Sequence, residues 1–370
     1  MREYGSEYPA IVLPDGYFEN LGGLGREVLF LRTGREALLL TALAIKESIE
    51  GKECIIFIPS YCCWSMSAPF EKVGWKVVYY RLNEDLTVDT DYLSQLFNVH
   101  KPQAVLTMNF FGSACTDDAV RMVKQCDENI KVIEDFSHCT FSIQKILNPQ
   151  VDMYVSSIRK SVGVCDGSVI LSNEQMPKHY ILEELNDFAE KRYVAQTEKK
   201  RYTWSKDQDK KQEFLAMISE CESIINEFTT VRPITNRAMK MLNMLNVEDI
   251  VFARRENMRH LWTLLNKFQV SEVSKGFKLV PGLKRCFDGS PFSLPILIDK
   301  RDEVQTALAK RGVYTQVLWP ICEEAKKVCS ISKMMDESML SVPIDQRYSW
   351  DDIEDIADII IYEVKNVMKI

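Results

Sequence analysis

Between about Leu31 and Asn173 the chain alternates helix-period segments with short β-branched runs, and this alternation restricts the fold more than any other feature. Strands that recur after helical segments of this length build a largely parallel sheet, because each helix carries the chain back to the edge where the next strand starts. Glu36 to Glu47 has helical spacing. Cys54–Ile58 reads as a buried strand stopped by Pro59, and Lys76–Tyr80, Ala104–Met108, Lys131–Glu134 and Ser168–Leu171 continue the series. Ligands of such sheets sit beyond the carboxyl ends of the strands, so the residues just after each run matter most.

At 370 residues the chain exceeds the usual length of one domain. A large domain is expected over 1–240, N-terminal segment included, and a smaller one over 241–370. Ile234 to Leu265 reads as a helix-rich connection, Phe292–Ile298 opens a second βα pattern, and helices are predicted over Asp302–Lys310 and Asp351–Val367. Glu184 to Asp209 is dominated by charge and reads as a solvated helical or loop region.

The 46 basic and 53 acidic residues leave a net charge of −7 with no long basic run, which argues against nucleic acid as the main partner. Eleven cysteines, an odd number in a long chain, fit reduced thiols better than a disulfide framework. No CxxC pair occurs and the four histidines are scattered, so no metal site is expected. The N-terminus lacks an apolar signal core and no run is long enough to span a membrane; a cytoplasmic protein is the expectation.

Two stretches carry the chemistry. Val132-Ile-Glu-Asp-Phe-Ser-His138 places Asp135 at the end of a strand, and Ser156-Ser-Ile-Arg-Lys160, followed by Asp166-Gly167, places a lysine on a short turn between two apolar runs. An anchored amine facing an anchored carboxylate is what a protein needs to hold pyridoxal phosphate: the lysine forms the Schiff base and moves protons, and the carboxylate pairs with the pyridine nitrogen. By strand alternation Glu134 points away from Asp135. His138 is a candidate contact to the cofactor's phenolic oxygen. Arg32-Thr-Gly-Arg-Glu-Ala-Leu38 puts a glycine at a helix start, where a phosphate is bound by backbone N–H groups, and Ser157 adds a hydroxyl. Tyr61 and Trp64, in the turn after the strand at Cys54–Ile58, are candidates to stack on a flat ring.

These segments, in this order, resemble the DegT/DnrJ/EryC1/StrS family of pyridoxal-phosphate sugar aminotransferases, which have the aspartate-aminotransferase fold (fold type I). Thr33-Gly34-Arg35-Glu-Ala-Leu is similar to the family's Ser-Gly-Thr-x-Ala-Leu, Ile58-Pro-Ser-Tyr to its Pro-Ser-Tyr turn, and Met108-Asn-Phe-Phe-Gly112 to its His-Leu-Tyr-Gly segment. Glu134-Asp135-Phe-Ser137-His138 and Ser157-Ile-Arg-Lys160 match its cofactor and Schiff-base segments, and Leu318-Trp-Pro320 and Val342–Tyr348 its small-domain motifs.

The resemblance implies an α/β fold with a mostly parallel seven-stranded sheet and a smaller C-terminal α+β domain. It implies Lys160 as the catalytic lysine, Asp135 on the pyridine nitrogen, His138 on the ring oxygen and Ser137 against a ring face. Gly34, Arg35 and Ser157 are implied for the phosphate. The activity implied is transfer of an amino group from glutamate or glutamine to a keto group of a nucleotide-linked sugar, in a homodimer whose partner chain completes the phosphate site; Asn236 is the candidate for that residue. A non-sugar carbonyl acceptor, or a non-catalytic homologue that binds the cofactor or a sugar, are the alternatives. The sequence departs from the family in three places. Arg35 replaces a threonine, Asn109 stands where histidine is common, and the stacking aromatic aligns with Cys63, so either Trp64 takes its place or the ring is stacked differently.

Overall fold

The computed structural model describes residues 15–49, 53–113, 115–182, 188–205, 207–271 and 274–369. The expected N-terminal segment lies largely outside them. In chain order the first part runs β1 (Glu27–Leu31), α1 (Gly34–Glu47), β2 (Ile55–Pro59), α2 (Trp64–Lys72), β3 (Lys76–Tyr80), α3 (Thr90–Val99), β4 (Ala104–Met108), α4 (Asp117–Cys126), β5 (Lys131–Asp135), α5 (Ile143–Ile146), β6 (Met153–Ser156) and β7 (Ser168–Ser172). These seven strands form one sheet in the order β1-β7-β6-β5-β4-β2-β3. Only β7 opposes its neighbours, pairing antiparallel with both β1 and β6, while β6, β5, β4, β2 and β3 pair in parallel. The interior strands β2, β4, β6 and β7 are buried at every position, as a sheet covered on both faces requires.

Helix α1 starts where it does because the Thr33 hydroxyl accepts the Glu36 N–H, and its run Ala37–Ala42 is wholly buried. Glu36 is buried too, and is matched by Arg32 at 2.9 Å. Beyond the sheet come α6 (Phe188–Ser205), α7 (Gln208–Asn226), α8 (Asn236–Asn243) and α9 (Val247–Gln269). Over Phe188–Ser205 and from Gln208 on, the charged stretch of the sequence is thus helical, and α6 packs along α7 with Lys191–Glu220 and Arg192–Glu222 ion pairs between them. Residues 240 and 241 both lie within α8.

The C-terminal part comprises β8 (Phe277–Leu279), β9 (Ser293–Ile298), α10 (Arg301–Lys310), α11 (Glu323–Val328), α12 (Ser330–Ser338), β10 (Met339–Pro343) and α13 (Trp350–Met368). Its sheet is antiparallel, in the order β10-β9-β8. Helices α9, α10 and α13 pack together beside it, and Ser349 and Asp352 close a capping box at the start of α13. Among the described residues no helix is long and apolar enough to cross a membrane.

Candidate active site

Strand β5 ends on Asp135, paired in register with Met108 of β4 and Val155 of β6, so the carboxylate stands at the carboxyl edge of the sheet. Pleating sends its neighbour to the opposite face, where Glu134 accepts a hydrogen bond from Thr116 Oγ1 at 2.8 Å. Two hydrogen bonds then stitch the turn after β5 to the turn after β6. Ser137 N–H donates to Asp135 Oδ1 at 2.8 Å, and Ser157 N–H donates to Ser137 Oγ at 2.9 Å. Ser157 opens the single 3-10 turn Ile158–Lys160, and Lys160 N–H closes it on the Ser157 carbonyl at 3.2 Å.

Lys160 is delivered to the mouth of a cavity of about 150 Å³ that also has Gly34, Arg35, Asp135, Ser137 and Ser157 on its walls. Its ammonium makes no hydrogen bond or ion pair among the described residues, while its charge bears on both Asp135 and His138. Burial pushes the Asp135 carboxyl above the usual range; the Lys160 charge and the Ser137 hydrogen bonds act the other way.

At the opposite wall the backbone of α1 comes close to the lysine turn. A Cβ added to Gly34 would lie 3.1 Å from Ser157 Cβ, so only glycine leaves the space between them open. Arg35 Nη1 donates to the Ile225 carbonyl at 3.2 Å. Arg159 meets Glu222 at 3.1 Å, and Arg192 meets the same carboxylate at 2.8 Å.

His138 lies on a second, larger cavity of about 450 Å³, which shares Lys160, Arg159 and Trp319 with the first. Its ring is sandwiched between Phe292, centroid at 4.7 Å and nearly parallel at 3°, and Trp319 at 5.3 Å. Phe111 N–H donates to Nδ1 at 3.2 Å. Burial and the Lys160 charge hold this imidazole well below its usual pKa, so at neutral pH it is uncharged. Since Nδ1 accepts, the ring proton is on Nε2, which makes that nitrogen a donor. Arg254 braces the floor: it donates to Ser161 O at 2.7 Å, Pro291 O at 3.1 Å and Gln346 Oε1 at 2.8 Å, tying the lysine turn to the C-terminal part.

Three of the residues named from the sequence stand apart from this cluster: Tyr61, which is fully buried against Phe110 and Trp319 and lines neither cavity, Trp64 and Asn236. Trp64 is 53 % exposed and packs edge-on to Phe228, with Arg35 over its ring at 5.8 Å; the cavity wall carries its neighbour Cys63 instead. The reason is local: Cys63 is the N-cap of α2, and the following residue turns outward with the first helical turn. Asn236 is exposed at the first position of α8 and lines neither cavity. Among the residues that line the cavity without an assigned role are Arg159, Glu222 and Trp319. Arg159 adjoins Lys160 and Trp319 sits in Leu318-Trp-Pro320, both visible as motif members, whereas nothing in sequence connects Glu222 to a site 63 residues away. Among the described residues no group of three or more His, Cys, Asp or Glu is arranged to hold a metal ion.

No protein-family model matches the sequence, and no curated protein matches it. Solved structures match over nearly the whole chain. A DegT DnrJ EryC1 StrS aminotransferase from Brucella abortus superposes with a TM-score of 0.62 at 15 % identity, over 94 % of this chain and 89 % of that one. Helicobacter pylori PseC, an aminotransferase involved in the biosynthesis of pseudoaminic acid, gives 0.64 at 13 % identity over 95 % and 90 %. Bacillus subtilis NtdA with bound cofactor PMP gives 0.63 at 14 % over 96 % and 78 %. The chain has the fold of the DegT/DnrJ/EryC1/StrS aminotransferases. In this fold type I frame the seven-stranded sheet and the smaller antiparallel sheet are both accounted for.

Proposed function

We propose that the protein is a pyridoxal-phosphate-dependent aminotransferase that moves an amino group from glutamate or glutamine to a keto group of a nucleotide-linked sugar, acting as a homodimer. The observation that carries this reading is the convergence of Lys160 and Asp135 on one cavity whose far wall is formed by Gly34, Arg35 and Ser157. The residues fit the group. The missing Cβ at Gly34 keeps a cradle open at the start of α1, buried guanidinium nitrogens of Arg35 and Arg159 have no partner there, and Asp135 keeps one oxygen free of hydrogen bonds among the described residues. Two solved structures of the same fold, NtdA with PMP and S. venezuelae DesV in complex with a ketimine intermediate, carry this chemistry and lend support.

Bound there, the cofactor supplies a carbonyl for amine exchange and a ring that takes up the electron pair left when a carbon-bound proton is removed. Lys160 Nζ is the exchangeable amine and, once free, the base that carries that proton between carbon atoms. The buried Asp135 carboxylate holds a proton on the ring nitrogen, and its raised proton affinity suits it to share that proton rather than only to attract it. His138 donates from Nε2 to the ring oxygen. Its stacking between Phe292 and Trp319 fixes the direction of that bond. Ser137 orients Asp135 through its N–H and supports the Ser157 turn through its hydroxyl. Asn236, exposed on α8, is proposed to act across the dimer on the partner's phosphate.

On the substrate side, the larger cavity brings Arg159, Arg192, Lys199, Arg254 and Arg347 together against Asp345, a cationic lining that suits an acceptor with a pyrophosphate. The test is reconstitution with pyridoxal phosphate followed by glutamate. A visible band that needs Lys160 and is bleached by glutamate supports amino transfer, and turnover of keto-sugar nucleotides but not of simple keto acids supports the acceptor. Absence of a Lys160-dependent band refutes the reading.

A further inference from the structure

The phosphate end of the cavity holds more positive charge than hydroxyl and backbone donors would require. Arg35 and Arg159 both line it, and Arg192 stands one carboxylate away. Glu222, from the penultimate turn of α7, lines the same cavity and is the shared partner of Arg159 at 3.1 Å and Arg192 at 2.8 Å. We propose that Glu222 is an internal anion that occupies the guanidinium clamp of the cofactor-phosphate seat and is displaced from Arg159 when a phosphate group binds. This rests on the pyridoxal-phosphate reading.

Three observations carry it. Arg35, Arg159 and Arg192 each keep a buried Nε–H with no partner, so three strong donors around Glu222 are left over after the carboxylate has been served. A buried unpaired donor is costly, and two on the wall of one cavity with a third behind Glu222 mark a place where an acceptor belongs. Charge gives the kind of acceptor: three guanidiniums, of which Arg159 and Arg192 share the carboxylate of Glu222, leave an excess of two positive charges, the magnitude of the charge of a phosphate monoester near neutral pH. Burial lowers the proton affinity of Arg159, with Arg192 and Arg35 adding repulsion that Glu222 only partly offsets, so a further anion is favoured.

Geometry supplies the exchange. Arg35 is held by the Ile225 carbonyl at 3.2 Å and Arg159 by Glu222, so the two arginines that line the seat are both tethered to the same end of α7. The seat itself is the N-terminus of the 14-residue α1, kept open at Gly34. A phosphate entering the cavity beside Gly34 and Ser157 competes with both tethers at once. The last turns of α7 are therefore a strap that is fastened without phosphate and released with it.

The test uses the cofactor-stripped full chain, with inorganic phosphate, pyridoxal phosphate and phosphate-free pyridoxal as separate probes in isothermal titration at fixed ionic strength. Glu222→Gln removes the competing charge and is expected to tighten phosphate and pyridoxal phosphate by about tenfold while leaving pyridoxal unchanged, and Arg159→Gln is expected to weaken the first two by about tenfold or more. Equal or weaker phosphate and pyridoxal-phosphate binding in Glu222→Gln overturns the proposal. If either variant fails to fold, hydrogen exchange on the wild type decides: peptides over 219–226 exchange faster on adding phosphate if the strap releases, and unchanged exchange overturns it. Failure of the cofactor reading looks different. No variant and no wild type then gives a Lys160-dependent visible band, whereas failure of the strap alone leaves that band intact with identical affinities in wild type and Glu222→Gln.

Discussion

Replacing Glu134 by glutamine makes a sharp test of how the sheet edge is built. The carboxyl is 1 % exposed, its Oε2 accepts from Thr116, and its Oε1 has no partner among the described residues. Burial, with smaller contributions from Asp117 and Asp135, pushes its pKa from 4.5 up to about 8. In the unfolded chain the group ionises near its ordinary value, so between the two values the folded protein holds a proton that the unfolded chain has released. Stability from this group therefore falls as pH rises through that window, is constant below it where both forms are protonated, and is constant again above it where both are ionised. The full difference is on the order of 5 kcal/mol, from a shift of 4.5 to about 8 at about 1.4 kcal/mol per unit. Glutamine keeps the shape and the acceptor for Thr116 and has no proton to lose. Urea denaturation of Glu134→Gln and wild type at two pH values inside the window, about 5.5 and about 7.5, is expected to show the variant gaining about 3 kcal/mol relative to wild type on going to the higher pH. Other titrating groups cancel in that difference. A difference that does not change with pH, or one that favours the wild type as pH rises, refutes the burial argument.

Three further outcomes are expected. Gly34→Ala places a Cβ 3.1 Å from Ser157 Cβ, tighter than an ordinary contact, so the lysine turn is pushed back and pyridoxal phosphate is expected to bind about tenfold more weakly by titration. Arg254→Met removes the side-chain donor to the buried Pro291 carbonyl and leaves the Ser161 carbonyl with only the Gln346 amide at 3.3 Å, and is expected to cost about 3 kcal/mol in urea denaturation, with the lysine turn loosened as well. The imidazole of His138 is expected to stay neutral with its proton on Nε2 from about pH 5 to about pH 8 in ¹⁵N NMR; a titration near the usual histidine value would contradict its burial under Phe292 and Trp319.

The strands β2, β3, β4, β5 and β7 were legible because each is a short run rich in apolar and β-branched residues, and β2, β4 and β7 are buried at every position. Lys76–Tyr80 and Ala104–Met108 coincide with β3 and β4, and β5 differs from its predicted run by one residue. The strand β1 escaped because it is half-buried at the sheet edge and shows no clean alternation, and β6 because it has four residues. In the C-terminal part, β8, with three residues, and β10 gave no signal of comparable strength. Within the site, Asp135, Ser137, Ser157 and Lys160 were readable because strand ends and one tight turn place them locally. The displacement of Trp64 from the cavity depends on where α2 is capped, a matter of one residue that pattern does not resolve. The Arg159–Glu222–Arg192 cluster was invisible because it joins the lysine turn to two helices through tertiary packing alone.

Lys160, facing Asp135, is proposed as the amine that carries pyridoxal phosphate. The most direct test of that role is the absorbance spectrum of the reconstituted wild type and of Lys160→Ala, each recorded before and after glutamate. A visible band is expected in the wild type, bleached by glutamate and lost in Lys160→Ala. A wild type without the band, or a band that persists unchanged in Lys160→Ala, contradicts that role.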